Sequence, residues 1–126
     1  MIIERKNYPQ LDQPVGPYVH AIRHNDVLYL SGLTAFGTPA QNGSVAAQAQ
    51  AVLEQINVIL EAESVDFENL LKVTIFVTEF GDMNQLREVL FKYYQDSYPA
   101  SSLVRVKGLF SPDLKIEIES VVALPG

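Results

Sequence analysis

Apolar residues at Ala49, Val52, Leu53, Ile56 and Leu60 recur at helical spacing and predict a helix from Val45 to about Glu63 with one buried face. Ser44 stands ahead of it as an N-cap, and Glu54, Gln55 and Glu61 occupy much of the other side. Leu86, Val89, Leu90 and Tyr93 mark a second amphipathic helix that ends before Pro99. Asp82-Met83-Asn84-Gln85 resembles a capping box, with Asp82 bonding the Gln85 amide and Gln85 reaching back. Strands are expected over Val19–Arg23 and Val27–Ser31, joined by a turn at His24-Asn25-Asp26, and again over Val73–Val77, Ser102–Lys107 and Leu114–Leu124. Ile2–Arg5 reads as a short edge strand. In the last strand Ile116, Ile118, Val122 and Leu124 share one face, while Lys115, Glu117 and Glu119 share the other. Asn7 to Pro17 reads as an irregular arm, Gly32 to Gly43 as a loop, and Asp66 to Leu70 as a single turn.

This order implies an α+β fold in one domain, 1–126, with two helices packed on one side of a four- or five-stranded mixed sheet. The other sheet face then lacks cover. Tyr29, Phe76 and Val104 cannot all point at two helices, so a homo-oligomer is expected.

Composition narrows the chemistry. The 126-residue chain is 48% apolar and 19% charged, which fits a folded domain. Its interior is too small for a roomy enclosed site, which favours a cleft between subunits. A net charge of −6 argues against broad nucleic-acid binding. The absence of cysteine removes disulfides, thiolate catalysis and sulfur-ligated metal sites. His20 and His24 are the only histidines, so a His-rich metal site is not expected either. No signal-like apolar core or membrane-length run is present, and a cytoplasmic location is expected.

Pro14-Val15-Gly16-Pro17-Tyr18 is a stiff loop that either plugs the surface with an aromatic ring or presents Tyr18 to a ligand. Ser31-Gly32 follows an apolar strand, as a plain turn or as a close approach of backbone amides to an anion. Glu117 and Glu119 are either solvated carboxylates or, if their face enters a cleft, one is a water-holding base. Periodicity does not choose between them. Ser101 and Ser102 read as turn or cap residues, and no adjacent base makes either a nucleophile. Arg87 and Arg105 are the candidate carboxylate clamps, with an ordinary ion-pair role as the alternative.

Taken in order, several stretches resemble the RidA/YjgF family of reactive intermediate deaminases across nearly the whole chain. They are Val15-Gly16-Pro17-Tyr18, Val27-Leu28-Tyr29-Leu30-Ser31-Gly32, the helix with Gln48 and Leu60, Lys72 to Thr78, Tyr98-Pro99-Ala100, and Lys115-Ile116-Glu117-Ile118-Glu119. The resemblance implies a chorismate-mutase-like α+β fold and a homotrimer whose sheets line a barrel, with ligand clefts between subunits. Active members hydrolyse enamines and imines such as 2-aminoacrylate to 2-keto acids and ammonia, without metal or organic cofactor. An arginine binds the substrate carboxylate and a glutamate positions water. By resemblance Tyr18, Ser31, Gly32 and Glu119 fall on cleft positions, with Glu119 as the catalytic carboxylate.

The arginine is missing. Where the active subgroup reads Pro-Ala-Arg-Ser, this chain reads Pro99-Ala100-Ser101-Ser102. Losing a buried charge partner costs about 2–5 kcal/mol. Leu103 stands where some members carry cysteine, and Arg87 where many carry a cleft-side asparagine. The main reading is therefore a trimeric small-molecule-binding protein without ordinary 2-aminoacrylate deaminase activity. One alternative is a deaminase of altered substrate using Glu119. Another is an interaction trimer with vestigial clefts. No nucleic-acid or membrane partner is expected.

Overall fold

The structure, a computed structural model, describes residues 2–126. Its chain order is β1 (Ile3–Lys6), β2 (Ala21–His24), β3 (Val27–Leu33), α1 (Val45–Ala62), a 3-10 turn (Phe67–Asn69), β4 (Leu70–Val77), α2 (Met83–Tyr94), β5 (Ala100–Arg105) and β6 (Ile116–Ala123). The strands form one six-stranded sheet in the order β1-β2-β3-β6-β4-β5. Only β4 and β5 pair in parallel, and α2 supplies the crossover that a parallel pair requires. Asn25 makes the β2–β3 turn with φ of 56°, a left-handed conformation that asparagine tolerates.

The core lies between α1 and one sheet face. Val52, Leu53, Ile56, Ile59 and Leu60 of α1 are fully buried, as are Leu28, Val73, Ile116, Ile118 and Val122 of the sheet. Burying each such side chain stabilises by about 1.5–3 kcal/mol. The Ser44 side chain accepts from the Ala47 amide, the expected cap. Gln48 is fully buried on the apolar face of α1. Its Nε2 donates to the Gln41 and Asp113 carbonyls at 2.9 Å, and its Oε1 accepts from the Lys115 amide at 2.8 Å. One amide thereby joins the loops on both sides of the cleft described below.

The opposite sheet face is uncovered, as the pattern predicts: Tyr29 is 49% and Val104 41% exposed. Phe76 is only partly exposed, shielded by its neighbours in β4 and β6. β5, at the sheet edge, is exposed along its whole length.

Several expectations are corrected. The sheet has six strands rather than four or five, because β1 pairs with β2. β3 runs through Gly32 to Leu33, so Ser31-Gly32 lies inside a strand. Its register against β6 slips between Leu30 and Leu33, which accommodates the break without ending the strand. Ser101 and Ser102 are likewise strand residues of β5, which starts and ends two residues before the expected bounds. β2 begins at Ala21 and β4 at Leu70, and β6 is shorter than Leu114–Leu124 at both ends. The capping box at Asp82 does not form. Asp82 has φ −108° and ψ 41°, outside the extended conformation that aims an N-cap side chain at the first turn, and its side chain makes no cap bond.

Candidate functional site

The N-terminal arm folds back over the β2–β3 hairpin and is tied there through His20. The Tyr8 amide donates to His20 Nδ1 at 2.9 Å, so Nε2 is the ring N–H, and it donates to the Asp12 carbonyl at 2.8 Å. Asn7 Oδ1 accepts from the His20 amide at 2.9 Å. Ser31 Oγ donates to the Val19 carbonyl at 2.6 Å, which fastens the arm to β3. His20 is therefore a positioning residue that fixes the course of Asp12 to Tyr18.

Between this arm, the β3 bulge and two loops lies a cavity of about 590 Å³. Tyr18, Ser31 and Gly32 line it, with Glu117 from β6. Glu117 leans over the backbone at Gly32. A Cβ at that position would lie 2.9 Å from the Glu117 Cδ, so the glycine makes room for the carboxylate. Phe36 and Phe110 form a second wall, with ring centroids 5.1 Å apart at 60°. Burial pushes the Glu117 carboxyl above its ordinary value, and the negative charge of Glu119 pushes it the same way. Among the described residues no lysine or arginine lines the cavity.

A second hollow of about 660 Å³ opens beside it on the uncovered sheet face. It shares Tyr18 and Ser31, and it holds Arg5 and Tyr29.

Within one chain, the residues named from the sequence separate into two groups. Tyr18, Ser31 and Gly32 line the cavity at Glu117. Glu119, Arg87, Ser101 and Leu103 do not. Glu119 is exposed on the open face, across the ladder from Thr74. Ser101 and Leu103 are exposed on the edge strand β5. Arg87 is exposed on α2 and donates to Asn84 Oδ1 at 3.5 Å, and Arg105 Nε donates to the Thr78 carbonyl at 3.4 Å. Periodicity left Glu117 and Glu119 undecided and the resemblance chose Glu119, but within one chain it is Glu117 that lines the cavity. The signal missed was the adjacency of Gly32 to β6, which no local pattern carries. Phe36 and Phe110 were also missed, because each stands alone in a loop. Among the described residues no group of histidine, cysteine, aspartate or glutamate is arranged to hold a metal ion.

Comparison with known proteins fits the order of elements. The model of the family described as Endoribonuclease L-PSP matches residues 10–124. The chain belongs to that family, the RidA/YjgF proteins. A curated relative, a RutC family protein of Buchnera aphidicola, is 35% identical over 112 residues, covering 86% of this chain and 87% of that one. The human 2-iminobutanoate/2-iminopropanoate deaminase is 30% identical over 110 residues, covering 85% of this chain and 80% of the human one. Among solved structures, that of YEO7_yeast superposes with a TM-score of 0.89 at 27% identity, covering 98% of this chain and all of that one (100%). YyfA from Yersinia pestis, of the Rid family, also superposes with a TM-score of 0.89, at 26% identity and the same coverage. The α+β RidA-like fold, with both helices on one face of a mixed sheet, is thus shared. Among the described residues no helix is long and apolar enough to cross a membrane.

Proposed function

We propose that the protein is a small-molecule-binding Rid protein that hydrolyses 2-aminoacrylate poorly. The observation that carries this reading is the pairing of a formed cavity with a missing clamp. Tyr18, Ser31, Gly32 and Glu117 surround about 590 Å³ of space, within the range of ligand sites. Ser101 stands where the resemblance puts the carboxylate-binding arginine, and serine has no charge to offer. The chorismate-mutase-like trimer is part of this proposal. In it, β5 of a neighbouring copy, with Ser101 and Leu103, and α2, with Arg87, would close the cleft. Binding needs no cofactor in this reading.

A deaminase of altered substrate is the second reading, favoured by Glu117. A carboxyl raised toward neutrality is a better base toward water than an ordinary one. Glu119, on the same strand face, would act on Glu117 through its charge. Deaminase activity is named for the human and dust-mite relatives, which makes hydrolysis of an imine the activity to test first. The endoribonuclease in the family's description is a poor fit to a chain of charge −6.

The test is release of ammonia and 2-keto acid from freshly generated 2-aminoacrylate. Wild type is expected to stay near the spontaneous rate, and Ser101→Arg to raise it. Efficient turnover by wild type would show that an arginine at position 101 is dispensable.

A further inference from the structure

The walls of the cavity at Glu117 have a chemistry of their own. Phe36 and Phe110 stand edge to face and, with Val15 and Leu33, make one side apolar. The polar end holds Ser31 and the Glu117 carboxylate. Among the described residues Glu117 forms no ion pair. Arg5 faces the neighbouring hollow, and Lys115, two residues before Glu117, is engaged with the Gly43 carbonyl. A ligand carboxylate placed here would meet Glu117 with nothing to offset the repulsion, whereas a cation would supply the partner that Glu117 lacks. Aromatic faces add attraction for the same sign of charge. About 590 Å³ is several times the space a three-carbon imino acid fills, so a bulky apolar body is accommodated beside the charged head.

We infer that this cleft takes an organic cation, an amine or iminium carrying an aromatic or branched apolar body, with the cation on Glu117 and the body against Phe36 and Phe110. This rests on the small-molecule reading above and reverses the charge expected of the ligand. The raised Glu117 carboxyl agrees with it, since a bound cation would relieve the unfavourable charge.

The experiment is calorimetry on the assembled protein with three probes of one shape: phenethylammonium, 2-phenylethanol and 3-phenylpropionate. The cation is expected to bind at least about tenfold more tightly than the carboxylate, with the alcohol between. Glu117→Gln should collapse the spread among the three. Phe110→Ala, at an exposed position, should weaken the cation about two- to fivefold. Equal or tighter binding of the carboxylate would overturn the inference while leaving the cleft reading intact. It would mean that Arg5, or Arg87 or Arg105 of a neighbouring copy, reaches the site. Binding of none of the three would overturn both.

Discussion

Gly32 and Glu117 are a pair whose meaning depends on contact. The glycine has an ordinary backbone, so its absence of side chain serves space rather than conformation. Gly32→Ala should push the Glu117 carboxyl out of its half-buried seat, at a cost of about 1–3 kcal/mol for the overpacked position. Urea unfolding checks the stability, and a probe that loses affinity along with it ties the seat to the cleft. Glu117 itself should show in pH dependence. Its carboxyl is raised in the folded state, so the fold binds that proton more tightly than the unfolded chain does. The contribution is therefore present at low pH and lost as pH rises through the folded-state value. Glu117→Gln should raise Tm at about pH 7 and change it little at about pH 4. An equal gain at both would mean that the charge at 117 is not the cause.

At the scale of elements, the arm depends on a strap to the end of α1. Tyr8 Oη donates to Glu63 Oε2 at 2.7 Å, and Lys6 Nζ lies 2.6 Å from the same oxygen. Burial pushes the Glu63 carboxyl up. The hydrogen bonds from Lys6 and Tyr8, with the charges of Lys6 and Arg23, outweigh it and hold the carboxyl below its ordinary value. The strap therefore stabilises above the unfolded-state value and is lost as pH falls through the lowered folded one. Tyr8→Phe should cost about 1.5 kcal/mol at neutral pH and less at about pH 3, read from denaturant midpoints. A cost that does not change with pH would assign the loss to packing of the ring. α1 was legible because its cap and its apolar stripe are local. The start of α2 was not: Asp82 has a capping side chain but a backbone turned the wrong way.

For the molecule as a whole, the uncovered sheet face bears on assembly. Tyr29 and Val104 remain exposed together with the edge strand β5, and apolar area of this kind is stabilised by association. Light scattering at low micromolar concentration should report about three times the 14.0 kDa chain mass. A stable monomer would remove the shared cleft and leave the cavity at Glu117 to act alone.

The sequence by itself determined the helices and the buried strand cores, because spacing of 3.6 and of two residues is written locally. It also determined the uncovered face, a matter of which residue types stand where. The tertiary structure alone decided that β1 pairs with β2, that Ser31 and Gly32 form a bulge rather than a turn, and that Glu117 shares a cavity with Phe36 and Phe110. These facts depend on register between strands far apart in the chain. A one-residue difference in pairing changes which side chain meets which, and no local pattern records it.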